Sequence, residues 1–539
     1  MIYLPYSMRL RFLLAFIPLY VSLLPLKAQE YLSPMHRDWA IQTGGFLSVD
    51  TTGFYTSVRP YMACELRNIM PYDSLRQYHG RDARWLSTWF GRKLRKEHLF
   101  QVRQDDFRLD IDPIVNLRMG REQEQGRNVF TNTRGVMVQG DYKDKFYFYT
   151  RFYENQERFV NYVDSLVRRD SVVPGQGKVK FLESETFDFS QAVGGLGYRL
   201  NEHFDFLLAT DKNFLGDGYR SLLLSDNAYS YPFFRAQMSF WKFRYAVYYT
   251  VLQNMREPHD DNSGYFRKYA TIHYLSVNVG RKNRLNLSLF EGVLWKPAAY
   301  RGFELHYLNP MLFLRPVENS LDSPDNALLG LNVRWNIHKG HVVYGQLLLD
   351  EFLLDEVRAG KGWWGNKQGL QFGYKGFDLF GVPALGFQSE INFVRPFTYQ
   401  HRTNFQDYTH ANQPLAHPLG ADFTELLAFA NYRWRSFGVE VRFQYAVTGQ
   451  DTGTSNLGND IFKSYETRQG EYGNRMYQGL RTNLTAFTGK LTYCINPATG
   501  LVLEAGLTQR ERSNDDGTQA TQLVFFGLRT SLDQHYFDF

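Results

Sequence analysis

Apolar and polar side chains alternate one by one over long stretches of this chain. In Phe107-Arg108-Leu109-Asp110-Ile111-Asp112 the apolar groups point one way and the charges the other. Val115, Leu117 and Met119 continue the rhythm against Asn116 and Arg118, and the same register returns in 285–289, 331–337 and 439–445. A period of two marks β-strands, whose successive side chains face opposite sides. A face of Val, Leu, Ile and Phe opposite one of Arg, Asp and Glu fits lipid outside and a wet lumen inside. A water-soluble sandwich alternates too, so the pattern by itself leaves both open.

The connections separate them. Tight turns are predicted near 141–144, 201–202, 241–242, 281–283, 338–341, 376, 435–438 and 495–500. Between them lie longer polar segments near 155–189, 213–232, 254–266, 296–326, 354–366, 396–422, 449–479 and 510–519. Short and long connections that alternate along the chain are the asymmetry of an outer-membrane barrel, with short periplasmic turns and long extracellular loops. The expected fold is therefore all-β, a transmembrane antiparallel β-barrel of roughly 18 strands, or 16 if a register is misread. Gln522–Leu532 reads as the closing strand, although Asp533 and His535 interrupt the alternation before Phe539.

Residues 29–105 read differently. Asp82 is placed to N-cap a helix through Trp85–Leu94, with Leu86, Trp89, Phe90 and Leu94 on one face and Arg84, Arg92, Arg95 and Lys96 largely on others. Three placements fit such a helix: a plug or cap of the barrel, a helix lying on the inner leaflet, or a plain packed helix. Upstream, Arg9 and Arg11 precede an apolar stretch over 12–24, and Leu26-Lys27-Ala28 resembles a cleavage site, so residues 1–28 read as an export signal. The expected division is 1–28 signal peptide, 29–105 periplasmic or plug segment, and 106–539 barrel.

Composition sharpens this picture. Mean hydropathy is −0.42, yet aromatics make up 17% of the chain, with 36 Tyr and 44 Phe. The lipid face and interfacial girdles of a barrel use such rings while its lumen stays polar. The net charge of +6 over 539 residues includes no concentrated basic tract that would suit nucleic acid. The pairing state of Cys64 and Cys494 is not legible from spacing.

Three segments carry a resemblance. The first is Asn213-Phe214-Leu215-Gly216-Asp217-Gly218-Tyr219-Arg220 running on to Ala228, with Tyr231-Pro232. The second is Tyr307-Leu308-Asn309-Pro310 with Asp325–Gly330. The third is Val394-Arg395-Pro396-Phe397-Thr398-Tyr399 leading to Tyr408-Thr409-His410 and Gln413–Gly420. Together they resemble the outer-membrane capsule-assembly Wzi family, closest to its gliding-motility RemB-like branch. The resemblance implies a closed barrel acting as a surface lectin, with a part in capsule assembly or in adhesion linked to gliding, and no catalysis.

Trp363, Trp364, Tyr399 and Tyr408 are candidate glycan contacts, because flat rings stack on the C–H faces of sugars while Asp, Asn and Arg take the hydroxyls. Trp295 and Tyr300 share that chemistry. Such rings equally serve an interfacial belt or fold a loop down. Asp217 and Arg220 are further candidates, but Gly216-Asp217-Gly218 fits a tight turn better, with Arg220 and Asp226 as ion-pair partners. It lacks the lysine and strand-to-helix context of a phosphate loop. His401, His410 and His417 lie with Asp407 and Asp422 at no metal-ligand spacing, so no metal or cofactor is expected. His338 and His341 flank a turn. Arg108, Asp110, Asp112, Glu440 and Arg442 read as a lumen network satisfying itself. No Gly-x-Ser-x-Gly or His-Glu-x-x-His occurs, and a non-enzyme is expected.

The leading expectation is thus an integral outer-membrane protein with loops exposed at the cell surface, binding or anchoring surface polysaccharide. Its partners would be glycan, outer-membrane lipid and periplasmic or motility-apparatus proteins. The alternatives are a porin-like channel for small solutes and a docking subunit of a motility or secretion apparatus.

Overall fold

The computed structural model describes residues 32–539 apart from 50–51, 79–83, 144, 183–184, 259–263, 297–304, 312–324 and 531–534. The export signal and the Asp82 cap therefore lie outside the described residues.

Eighteen strands form one closed antiparallel barrel. They are β1 Phe107–Glu122, β2 Arg127–Tyr142, β3 Phe146–Arg158, β4 Phe187–Arg199, β5 Phe204–Asp211 and β6 Tyr231–Phe240. Then come β7 Phe243–Pro258, β8 Tyr265–Val279, β9 Leu285–Trp295, β10 Asn326–His338, β11 His341–Glu351 and β12 Lys367–Gly376. The circuit ends with β13 Leu385–Val394, β14 Phe423–Trp434, β15 Phe437–Gln450, β16 Leu480–Asn496, β17 Leu501–Asn514 and β18 Gly517–Arg529. Strand β18 pairs with β1 from Leu523↔Glu122 to Arg529↔Asn116, which closes the ring and leaves no open edge.

The alternation sorts as the pleat requires. On β1, Leu117 and Met119 are exposed on the outer wall while Asp110 and Asp112 are buried inside. On β15, Val439, Phe443 and Tyr445 face out and Gln444 faces in. At the short-turn end, Tyr142, Phe146, Trp241, Trp335, Trp434 and Phe437 stand exposed as an aromatic girdle. No helix is long and apolar enough to cross a membrane among the described residues.

The turns fall where expected, with two differences. The segment 510–519 is not a long loop: β17 and β18 continue the ladder to Asn514↔Gly517. The chain after β18 does not prolong the wall either. Residues 535–539 re-enter the lumen, where Asp538 meets Arg220 and Arg442.

The lumen is filled. Helix α1, Arg37–Val49, lies across the short-turn end. Arg37 Nε pairs with Glu440 at 2.6 Å, and Arg529 Nη2 pairs with Asp38 at 2.7 Å. Arg334 Nη2 donates to the Leu47 carbonyl at 2.8 Å. The sequence gives little hint of α1, because Gly44-Gly45 interrupts any apolar stripe. A Cβ at Gly44 would fall 2.4 Å from the Phe377 ring, so packing against the barrel requires the glycine. The chain then rises through the barrel, and Val58-Arg59 pairs antiparallel with Leu215 and Phe214.

After short helices over Ala63–Arg67 and Tyr72–Leu75, helix α2, Trp89–Arg95, is N-capped by Thr88. Helix α3, Asn161–Asp170, sits in the connection between β3 and β4. Cys64 and Cys494 are not joined by a disulfide.

Candidate functional site

The connections at the long-loop end divide into two groups, those that turn inward and those that stand above the barrel. Residues 212–230 and 395–422 turn inward. Leu222, Leu223 and Leu224 pack with Leu415, Ala416 and Ile461 in one apolar cluster. The hydroxyl of Tyr399 donates to the Leu222 carbonyl at 2.8 Å, and that of Tyr408 to the Leu223 carbonyl at 2.6 Å. The two rings stack with centroids 5.8 Å apart. Ser225 N–H donates to the Leu415 carbonyl at 2.8 Å. The first and third segments carrying the family resemblance are thus bound to each other as a stopper.

Beneath the stopper lies a buried charge network. Arg220 is 2% exposed; its guanidinium pairs with Glu425 at 3.1 Å and Asp538 at 3.2 Å. The Glu390 carboxylate accepts the backbone N–H groups of Tyr219 and Arg220 at 2.7 and 3.1 Å. His417 Nε2 lies 2.7 Å from Glu425. Asp217 accepts from the Thr56 hydroxyl at 2.5 Å and the Asn332 amide at 3.0 Å, tying the N-terminal segment to the inward loop. Each carboxylate therefore has donors, as a buried charge requires. A cavity of about 290 Å³ remains between α1 and the wall of β1–β3 and β15–β18.

Above the barrel, the connections 352–366 and 451–479 join edge to edge. Trp364 N–H donates to Glu471, Gly473 N–H to Lys361 and Asn474 N–H to Gly362, all onto carbonyls at 2.9–3.0 Å. The Trp364 indole N–H reaches the Glu471 carboxylate at 2.7 Å, its ring lies 4.8 Å from Tyr465, and the Arg468 guanidinium sits 4.2 Å over it. Trp363 is half-buried beside it, and Tyr472 is 52% exposed with its hydroxyl donating to Glu356 at 3.2 Å. Arg402 and Glu466 form an exposed ion pair at 2.9 Å nearby. Burial, helped by Glu351 and Glu466, pushes the Tyr465 phenol up to about 12, so it stays a neutral hydroxyl. The result is a platform of ring faces rimmed by carboxylate, guanidinium and amide groups. That is the chemistry that grips a sugar, with apolar C–H faces on rings and hydroxyls on polar atoms.

The candidate residues therefore part company. Trp363 lies half-buried on the platform, whereas Trp364 is buried at 9% exposure and joins its two loops from within. Tyr399, Tyr408, Asp217 and Arg220 are sealed beneath it. Trp295 is 1% exposed and stacks on Tyr307 at 4.3 Å, folding its loop down, while Tyr300 lies outside the described residues. His341 Nδ1 lies 2.6 Å from the Tyr374 hydroxyl beside the turn. The platform partners Tyr465, Arg468, Glu471 and Tyr472 were not singled out in the sequence. Their signal was the interleaving of aromatic and charged residues within a long polar loop.

The three histidines take separate partners. His410 Nδ1 accepts from Gln253 N–H at 3.0 Å, and the His401 ring sits edge-on to Tyr465 at 5.4 Å. Burial pushes the His401 and His410 imidazoles down to about 3, with Lys367 adding to the effect at His401. Unfolded imidazoles take up protons near 6.5. The folded loops are therefore favoured in full above about pH 6.5, and that advantage is lost progressively as pH falls towards about 3. We expect the thermal midpoint to fall on acidification through this window, and His401→Gln/His410→Gln to flatten the dependence. A variant as pH-sensitive as the parent would contradict this assignment.

No protein-family model matches the chain, and no curated protein matches it. Among solved structures, Wzi of Escherichia coli, described as an outer membrane protein involved in group 1 capsule assembly and a carbohydrate binding β-barrel, shares the fold. Its TM-score is 0.55 over 93% of this chain and 100% of its own, at 12% identity. OprD of Pseudomonas aeruginosa aligns at TM-score 0.42 and 9% identity over 78% of this chain and 94% of its own. OpdL of the same species aligns at 0.42 and 9% over 79% and 98%.

Proposed function

We propose that this chain is an integral outer-membrane surface lectin, a non-enzymatic barrel that holds extracellular polysaccharide on the rings of Trp363, Tyr465 and Tyr472, with the buried Trp364 as the joint beneath them. The observation that carries the reading is the joint arrangement of a filled lumen and an exposed aromatic–polar platform at the long-loop end. A channel for solutes works through its lumen, and here α1, two inward loops and residues 535–539 occupy it. The fold shared with a carbohydrate-binding barrel supports the same reading. Short turns then face the periplasm and the platform faces outward. Tyr399, Tyr408, Asp217 and Arg220 enter the reading as residues that hold the platform's footing, while contact with sugar falls to the rings above. Retention of capsule, or of a glycan used in adhesion and gliding, is the role such a platform serves.

The test is binding of the purified protein to the surface polysaccharide of its own cells. Trp363→Ala/Tyr472→Ala is expected to weaken binding about 10-fold or more, since truncating a contact ring costs about 1–2 kcal/mol or more. Trp364→Ala is expected to weaken it as well, through loss of the joint between the two loops. Saturable binding unmoved by all three changes would relocate the site, and no binding at all would overturn the lectin.

A further inference from the structure

Residues 84–97 carry five cations, Arg84, Arg92, Lys93, Arg95 and Lys96, against the single acid Glu97. A 3₁₀ turn over Arg84–Ser87 leads into α2, and the Thr88 hydroxyl accepts the Gly91 N–H at 3.1 Å. A Cβ at Gly91 would lie 2.2 Å from the Trp85 carbonyl oxygen, so the glycine lets turn and helix fold against each other. That closure buries Leu86 and drives Trp85, Trp89 and Phe90 outward, to 45%, 56% and 65% exposure.

The unit is also pinned in place. The Asn496 amide donates to the carbonyls of Lys93 and Glu97, each at 3.0 Å, and Arg95 donates to the Tyr493 hydroxyl at 3.0 Å. The Asp112 carboxylate meets the His98 ring at Nδ1 and accepts the Leu99 backbone N–H, and residues 100–104 pair with the start of β1. The rings do not stand alone on that side of the barrel. Tyr493 packs on Phe437 at 4.9 Å, Phe437 on Trp434 at 6.3 Å, and Leu491, Phe100 and Val102 are exposed on the same stretch of wall.

We propose that residues 84–97 form a membrane-lying foot that docks on the phospholipid leaflet at the short-turn end. Trp85, Trp89 and Phe90 enter the boundary between headgroups and acyl chains, and the basic side chains meet lipid phosphates. Two observations select lipid over a protein partner. The rings belong to a unit whose Arg95 bonds Tyr493, and Tyr493 packs on Phe437 of the girdle, where amphipathic aromatics belong. The surrounding charge is strongly positive, which suits an anionic headgroup surface. Arg92 and Lys93 share Glu97 at 3.1 and 2.9 Å, so the one acid of the stretch is already engaged and the unit stays net positive. The proposal rests on the membrane-embedded barrel, and its test keeps the two separable.

The full chain is reconstituted in phosphatidylethanolamine–phosphatidylglycerol vesicles with or without brominated acyl chains. Tryptophan emission is then compared between the parent and Trp85→Phe/Trp89→Phe, conservative changes that preserve the fold. The expected result is that the difference emission is strongly quenched by bromines near the headgroups and weakly by bromines at the chain ends. Difference emission quenched by aqueous acrylamide but not by brominated lipid would overturn the foot, and so would emission reached by neither, which indicates a covering protein surface. Quenching that persists in the variant, from Trp241, Trp335 and Trp434 in the girdle, reports the embedded barrel independently. Its absence would overturn the barrel reading instead. Should the double variant fold poorly, Trp89→Phe alone supplies the same comparison.

Discussion

Replacing Arg220 by methionine should destabilise the closed barrel by about 3–5 kcal/mol, the cost of removing one partner from a buried ion pair. The guanidinium is enclosed, and its loss leaves Glu425 and Asp538 facing one another across the lumen. Asp538 keeps Arg442 at 2.9 Å, and Glu425 keeps His417 at 2.7 Å, so the network is weakened rather than abolished. Arg220→Lys is not a rescue, because one ammonium cannot replace a planar fork that bonds two carboxylates at once. Arg220→Met/Glu425→Gln should recover part of the loss, since it removes one stranded charge. The measurement is the denaturant midpoint of the detergent-solubilised protein, followed by heat-modifiable gel mobility. A midpoint within experimental scatter of the parent would refute the central role given to this arginine.

The second large effect concerns the stopper. Tyr399→Ala/Tyr408→Ala removes two fully buried, stacked rings, and truncating a buried aromatic costs about 3–5 kcal/mol each. It also deprives the Leu222 and Leu223 carbonyls of their donors. The inward loops should then unseat while the wall, closed by its own ladders, persists. Planar-bilayer recordings are expected to show conductance steps in this variant and none of comparable size in the parent. Tyr399→Phe/Tyr408→Phe keeps the rings and loses only two hydrogen bonds, about 0.5–1.5 kcal/mol each, and should stay closed. Large, steady conductance in the parent would remove the filled lumen as an argument and favour the channel.

Both predictions concern residues whose roles were only half legible beforehand. Arg220 reads as an ion-pair partner from its neighbours in a tight turn, but its partners lie 205 and 318 residues away in sequence. Tyr399 and Tyr408 have the composition of sugar contacts, and the same chemistry serves a loop folded inward. A tyrosine carries a stacking face and a donor hydroxyl in either place, so only the position of Leu222 and Leu223 assigns it to the interior. Trp363 and Trp364, of similar chemistry, stand above the barrel because the connection 451–479 lies beside theirs. Helix α1 left no periodic trace, since its fit depends on Gly44 meeting Phe377. Residues 535–539 break the outward alternation for the reason that they leave the wall, a departure the sequence marks but does not route.

The sequence by itself determined the wall. Alternation records the two environments of a strand at every residue, and connection length records which end of the barrel a loop leaves from, so both are written locally. The tertiary structure decided what fills the lumen and what reaches the surface. Those outcomes depend on contacts between segments hundreds of residues apart, such as Arg37 with Glu440 or Thr56 with Asp217, and no local pattern encodes a partner at that distance.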